Sequence, residues 1–270
     1  MPTYVVTGKL GGGKTLAMVG RMREYIEQGR PVATNITLHL GKLSKRQPKA
    51  PVYRLPDRPT AEDLRALGPV HSTGREELNG ALVLDECGTW LNSRAWNDKG
   101  RADLLDFFLH ARKLGWDVFL IVQNLTLLDK QLREALAEYY VICRRLDRLR
   151  IPFVGRALSA ITFGLVEGRM PKVHLATVRY GIGPSSVHAE TWTYRGVDLY
   201  GAYETTQVVG TEREGTFCYL VPNPRKPGER PPLKPKLPAV AKASGLGRDE
   251  AWRWAARYVA GLPSSRPATA

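Results

Sequence analysis

Cysteine is scarce in this chain. Cys87, Cys143 and Cys218 are spread through 270 residues without a C-x-x-C pair. That spacing excludes a small disulfide-stapled fold and a zinc cluster, and it fits a reducing compartment. Long apolar runs are missing as well. The nearest approach to a bilayer span is 151–167, which carries Arg156 and two glycines, Gly155 and Gly164, and is too short to cross comfortably. There is no internal repeat. Acidic residues are in deficit, with 26 Asp and Glu against 40 Lys and Arg and a net charge of +14. Such a surplus favours polyanions, either nucleic acid or the anionic face of a membrane. A basic surface that serves solubility alone is the plainer alternative.

Glycine, by contrast, is concentrated where it has a use. Gly8-Lys9-Leu10-Gly11-Gly12-Gly13-Lys14-Thr15 reads G-x-x-x-x-G-K-T, directly after the β-branched run Tyr4–Thr7 and ahead of a helical pattern from Leu16 to Gln28. Strand, glycine loop and helix form the context of a phosphate-binding P-loop. Gly8, Gly11, Gly12 and Gly13 let successive backbone N–H groups curl inward around an anion at a helix N-terminus. Lys14 then reaches the β- and γ-phosphates of ATP, and the Thr15 hydroxyl ligates Mg²⁺.

A metal-holding carboxylate should sit at the tip of a buried strand beside that loop. Leu82-Val83-Leu84-Asp85-Glu86 supplies it, with Asp85 holding Mg²⁺ through water and Glu86 placed to polarise an attacking water. Gln123 follows the apolar run 118–122 and is the candidate sensor of the γ-phosphate or the lytic water; Asn124 is a weaker one. Phosphoryl transfer is often completed by an arginine from a neighbouring subunit. Arg94, Arg101, Arg112, Arg144 and Arg145 are the candidates here, with Arg112 and Arg145 preferred. His110 reads as a helix-surface residue. Trp90 and Trp96 read as packing residues rather than a stacking platform for a base.

Strand and helix signals alternate through the first half, the pattern of a parallel α/β sheet. Expected strands are 4–7, 32–36, 81–84, 118–122 and 139–143; expected helices are 16–28, 60–67, 102–114 and 129–137. Residues 42–56 read as a polar, proline-containing connection. The expected organisation is a P-loop ATPase core at 1–150 and an apolar excursion with a β extension at 151–220. That extension holds strands at 173–180 and 190–194. A Pro/Lys/Arg-rich linker at 221–245 follows, then a tail at 246–270 bearing a short amphipathic helix at 248–259.

These segments resemble the Zonula occludens toxin (Zot) family, which includes the assembly ATPases of filamentous bacteriophages. The resemblance rests on GKLGGGKT, LVLDECGTWLNSR, FFLHARKLGWDVFLIVQN, RMPKVHLATVRYG and WTYRGVDLYGAY, and covers residues 1–222. It implies an α/β P-loop NTPase of the additional-strand type, related to the RecA and FtsK–HerA motors. Such a fold has a mainly parallel sheet, flanking helices and a small β-rich C-terminal extension. It also implies a homo-oligomeric ring at the inner membrane that drives export of single-stranded phage DNA and virion assembly with phage coat proteins. Position by position, Gly8, Gly13, Lys14 and Thr15 match the phosphate loop, Asp85 and Glu86 the acidic pair, and Gln123 the sensor. The family's toxin activity belongs to a C-terminal region with no counterpart here.

Members of the family commonly carry a membrane-spanning helix after the ATPase domain, where this chain has the basic stretch 221–238. The glycine loop begins too close to Met1 for a signal peptide to precede it. The expectation is a protein on the cytoplasmic side of the host bacterium without its own span, touching the membrane through partners or through the basic arm and aromatic helix. A shortened chain would read the same way. Three other functions stay open on the sequence: a cytosolic DNA-packaging ATPase, a nucleotide-gated adaptor with little turnover, and a nucleic-acid binder driven by charge.

Overall fold

Successive side chains of a strand point to opposite faces, so each short apolar run serves two cores at once. The structure is a computed structural model and describes residues 3–44, 48, 50–71, 75–91, 98–125, 128, 133, 137–146, 173–181, 185–205, 207 and 218–220. In β1 (Thr3–Thr7), Tyr4 and Val6 face one core and Val5 the other. In β4 (Gly80–Leu84), Ala81 and Val83 are divided from Leu82 and Leu84 in the same way. Strands buried on both faces must be covered by helices, which is why these runs are continuously apolar.

The remaining strands are β2 (Val32–Thr34), β3 (Val52–Arg54), β5 (Trp116–Ile121), β6 (Tyr139–Arg145), β7 (Val173–Tyr180), β8 (Val187–Arg195) and β9 (Cys218–Leu220). Together they make one nine-stranded sheet in the order β8-β7-β6-β1-β5-β4-β2-β3-β9. From β6 to β3 every pairing is parallel; β7 and β8 extend one edge antiparallel, and β9 closes the other. β5 lies between the glycine-loop strand β1 and the acidic strand β4. That interposed strand defines the additional-strand P-loop NTPase fold.

Helix α1 (Lys14–Glu27) packs Leu16, Met18, Val19, Met22 and Ile26 into the first core, against β4 and the antiparallel edge of β7 and β8. It starts directly on the loop and stops at Gln28 and Gly29, the latter in the left-handed region at φ 76°. The second core is closed by α3 (Ala61–Arg65) and α5 (Asp98–Ala111). α3 begins with a capping box in which Thr60 Oγ1 accepts from the Asp63 N–H and Asp63 accepts from the Thr60 N–H.

The structure corrects three expectations. The polar connection 42–56 holds β3, and α2 (Leu40–Leu43) overlaps its start. A three-residue strand flanked by proline gives too short a period to read. β2 stops at Thr34, leaving Asn35 and Ile36 beyond its tip. β8 starts at Val187 rather than 190, because its exposed polar residues hide the alternation. The helix expected at 129–137 lies largely outside the described residues, as do the apolar excursion, the basic linker and the terminal helix. No helix among the described residues is long and apolar enough to cross a membrane.

After β8 the chain makes a short turn at Gly196–Asp198 and runs back across the C-terminal ends of the strands. Tyr203 forms an antiparallel bridge with Leu38, the His39 N–H donates to the Ala202 carbonyl (2.8 Å), and the Glu204 N–H donates to the Thr37 carbonyl (3.0 Å). Residues 199–205 and 207 thus form a strap from one side of the sheet toward β2 and β3, and β9 follows beyond it.

Candidate active site

The C-terminal ends of parallel strands open onto loops, and the crevice there is where α/β sheets bind ligands. In this chain a cavity of about 390 Å³ occupies that place. The expected residues converge on it. Gly11, Gly13, Lys14 and Thr15 line it from the loop, Asp85 and Glu86 from the tip of β4, and Gln123 from beyond β5.

Gly8 and Gly13 are required by geometry. A Cβ on Gly8 (φ 155°) would meet the Cys143 carbonyl oxygen at 2.5 Å, and one on Gly13 (φ 85°) would run into the His174 ring. Gly11 also lies at positive φ (66°), and Gly12 closes the turn by donating its N–H to the Lys9 carbonyl (2.8 Å). Gly13 is the N-cap of α1 and offers no side-chain cap, and the first turn has no acidic residue. Among the described residues, the opening N–H groups of α1 thus gain no acceptor from a capping side chain or a first-turn carboxylate, the arrangement an anion completes.

Lys14 folds over this loop and donates from Nζ to the carbonyls of Gly8 (3.1 Å) and Lys9 (3.5 Å). Thr15 Oγ1 donates to Asp85 Oδ2 at 2.8 Å. A hydroxyl and a carboxylate brought together on one cavity wall are the hard oxygen donors that Mg²⁺ takes, so the residues present fit that ion. Burial holds the Asp85 carboxyl above the usual carboxylate range, against weaker opposing pulls from the Thr15 hydroxyl, the Glu86 N–H and Lys14.

Glu86 has φ 52° and ψ 31°, and it is the one non-glycine residue at positive φ among the described residues. Its N–H donates to Asp85 Oδ1 (2.7 Å), and it caps α4 (Cys87–Trp90). Burial first and Asp85 second raise its pKa, while Arg58 works the other way.

Two residues that sequence reasoning missed hold this corner together. Asn35, just past β2, accepts the Asp85 N–H on Oδ1 (2.7 Å) and donates from Nδ2 to the carbonyls of Asp85 (3.1 Å) and Asp57 (2.9 Å). Gln207, on the strap, accepts the Thr37 N–H (2.8 Å) and donates to the Asn35 carbonyl (2.9 Å) and Asp57 Oδ1 (3.1 Å). A polar residue at the tip of a buried strand was the available signal for Asn35; Gln207 carried none.

Other candidates are placed less centrally. Arg145 lines the cavity, at the end of β6. Arg144 is exposed. Arg112 begins the 3₁₀ turn that leads into the N-terminal end of β5, at the end of that strand opposite the cavity. Arg94 and Trp96 lie outside the described residues, and Arg101 is placed only by its backbone in α5. Asn124 and His110 are exposed, the latter bonded to the Asp106 carbonyl one turn back (3.1 Å). Trp90 is 1% exposed and donates its indole N–H to the Asp85 carbonyl at 3.1 Å, so it packs beneath the acidic tip as expected.

Comparison with known proteins bears on what carries such a site. The chain is 48% identical over 227 residues to the Gene 1 protein of Enterobacteria phage I2-2, covering 82% of this chain and 62% of that protein. It is 50% identical over 226 residues to the Gene 1 protein of Escherichia phage If1, covering 82% and 64%. The chain thus spans less than two thirds of the length of these relatives. Among solved structures it is similar to the N-terminal domain of zonular occludens toxin from Neisseria meningitidis. There the identity is 19% and the TM-score 0.42, over 76% of this chain and all of that one. The family model described as zonular occludens toxin (Zot) matches residues 2–185. With the glycine loop, the acidic tip and the interposed strand all inside that match, the chain belongs to the Zot family.

Proposed function

We propose that this chain binds ATP with Mg²⁺ and hydrolyses it to power the assembly or export of a filamentous phage. The observation that carries the reading is the 2.8 Å bond between Thr15 and Asp85 at the open N-terminus of α1, on a cavity shared with Lys14, Glu86 and Gln123. Triphosphate fills the nest of loop N–H groups, and Lys14 exchanges its own loop carbonyls for the β- and γ-oxygens. Thr15 and, through water, Asp85 would hold Mg²⁺, which would supply charge neutralisation on the phosphates. Glu86 accepts the proton of a water that attacks the γ-phosphorus as the bond to ADP breaks. Gln123 hydrogen-bonds the γ-phosphate or that water. Asn35 and Trp90 hold the Asp85 backbone so that both carboxylates keep their aim.

Membership of the Zot family, and Gene 1 proteins of phages as relatives, support a phage role for this turnover. Single-stranded DNA or phage coat protein is the proposed cargo, and a homo-oligomeric ring on the cytoplasmic side of the inner membrane the proposed machine. The net charge of +14 suits a polyanionic cargo. ATP turnover of purified protein, with and without single-stranded DNA, is the test. Lys14→Ala and Glu86→Gln are expected to abolish it, and unchanged hydrolysis in both variants would sink the reading.

A further inference from the structure

We propose that Arg145 and His174 form the nucleoside-side wall of the site, gripping the α-phosphate end of the bound nucleotide from within the same chain. The inference rests on the ATP-binding reading above and assigns it two further residues.

The position follows from the sheet order. Thr15, Asp85, Glu86 and Gln123 define where the terminal phosphate reacts, and all but Thr15 come from β4 and β5, on one side of β1. β6 lies on the other side, paired with β1 through Thr7 and Ile142. A triphosphate with its reacting end at β4 and its middle in the glycine nest must extend its nucleoside end toward β6 and β7.

Arg145 and His174 stand there. They are direct cross-strand partners in the antiparallel β6–β7 pair, which puts their side chains on one face about 5 Å apart at Cβ. Both line the cavity. His174 is 3% exposed, and its ring occupies the space a Cβ on Gly13 would take, against the last turn of the loop before Lys14. Two residues earlier on β6, the Cys143 carbonyl packs on Gly8. The tips of β6 and β7 therefore form the back of the phosphate nest. A guanidinium at that wall has the fork geometry that binds phosphate oxygens bidentately. An imidazole beside it is the positioning residue for the loop and a further donor.

Every nucleotide with an α-phosphate meets this wall, whatever its terminal group. Fluorescent ATP and ADP titrations, with turnover measured in parallel, test the assignment. Arg145→Ala is expected to weaken ATP and ADP alike by about 10–100-fold, the worth of one charge-assisted hydrogen bond, with equal losses in the two titrations. His174→Phe keeps bulk against Gly13 but no ring nitrogen, and should lose about tenfold in both affinities. His174→Gln restores a polar end and should stay within about threefold of the parent. Unchanged affinities in Arg145→Ala overturn the proposal. So does loss of turnover at saturating ATP with ADP affinity intact, which would mark Arg145 as acting on the γ-phosphate. A parent protein that binds neither nucleotide refutes instead the ATPase reading on which the proposal stands.

Discussion

Glu86 occupies a backbone conformation that costs an L-residue about 1–2 kcal/mol, and glycine adopts it freely. The turn aims the carboxylate into the cavity next to Asp85, whose charge opposes its ionisation. Strain and repulsion at one residue are the local cost that the proposed role of Glu86 asks the fold to carry. Glu86→Gly should therefore raise the unfolding free energy by about 1 kcal/mol while losing turnover, as read by denaturant melts beside an ATPase assay. Glu86→Gln should cut turnover by about 10²–10⁴-fold with ATP affinity kept, because only the proton acceptor is removed. Gly13 has the opposite character. Any side chain there meets His174 at positive φ, so Gly13→Ala should lose nucleotide binding even where the chain still folds, as equilibrium titration would show.

At the scale of elements, the two ends of the sheet are built for different purposes. Away from the cavity, α1, β4 and β5 are joined by a buried polar network centred on Asp117. Tyr25 donates its hydroxyl to Asp117 Oδ2 (2.6 Å), Arg30 bonds the same oxygen (3.0 Å), and Asn79 Nδ2 donates to Oδ1 (3.0 Å). The Arg30 guanidinium also lies over the Tyr25 ring, 3.9 Å from its centre. Burial keeps the Asp117 carboxyl above its ordinary value in spite of these partners, so the ion pair itself contributes little net stability. Removing one member is a different matter, because the others are left buried and unpaired. Asp117→Ala should cost about 3–5 kcal/mol and lower the melting temperature, with KM for ATP unchanged below the transition.

The element scale also shows what could be read in advance. The glycine loop, Asp85, Glu86 and Gln123 were legible because each sits immediately after a buried apolar run, where local spacing carries the signal. β3 and β9 were not, since three residues give no period. Asn35 and Gln207 act through partners 50 and 172 residues away, and no local pattern encodes such a pairing. His174 was half legible. It shares parity with buried Ala176 and Val178 on β7, so its burial was readable, but its place against Gly13 depends on the sheet order.

For the molecule as a whole, the strap at 199–205 and 207 links the antiparallel edge at β8 to the side of the cavity lined by Asp85. Gln207→Ala would leave the Thr37 N–H and the Asn35 carbonyl without this partner, for a loss of about 1–3 kcal/mol. In a domain of this size that is a fall in melting temperature of about 2–4 °C for each kcal/mol. The thermal protection given by Mg²⁺ and ATP should shrink with it, because the clamp on Asn35 and Asp57 is loosened; scanning calorimetry with and without ligand reads both. The strap also sets a schedule. Synthesis proceeds from the N-terminus, so the glycine loop, Asp85 and Gln123 all leave the ribosome well before Gln207. Thr37 waits 170 positions for its partner. An unfinished chain therefore carries its phosphate loop and acidic tip before Gln207 is there to hold the Asn35 corner.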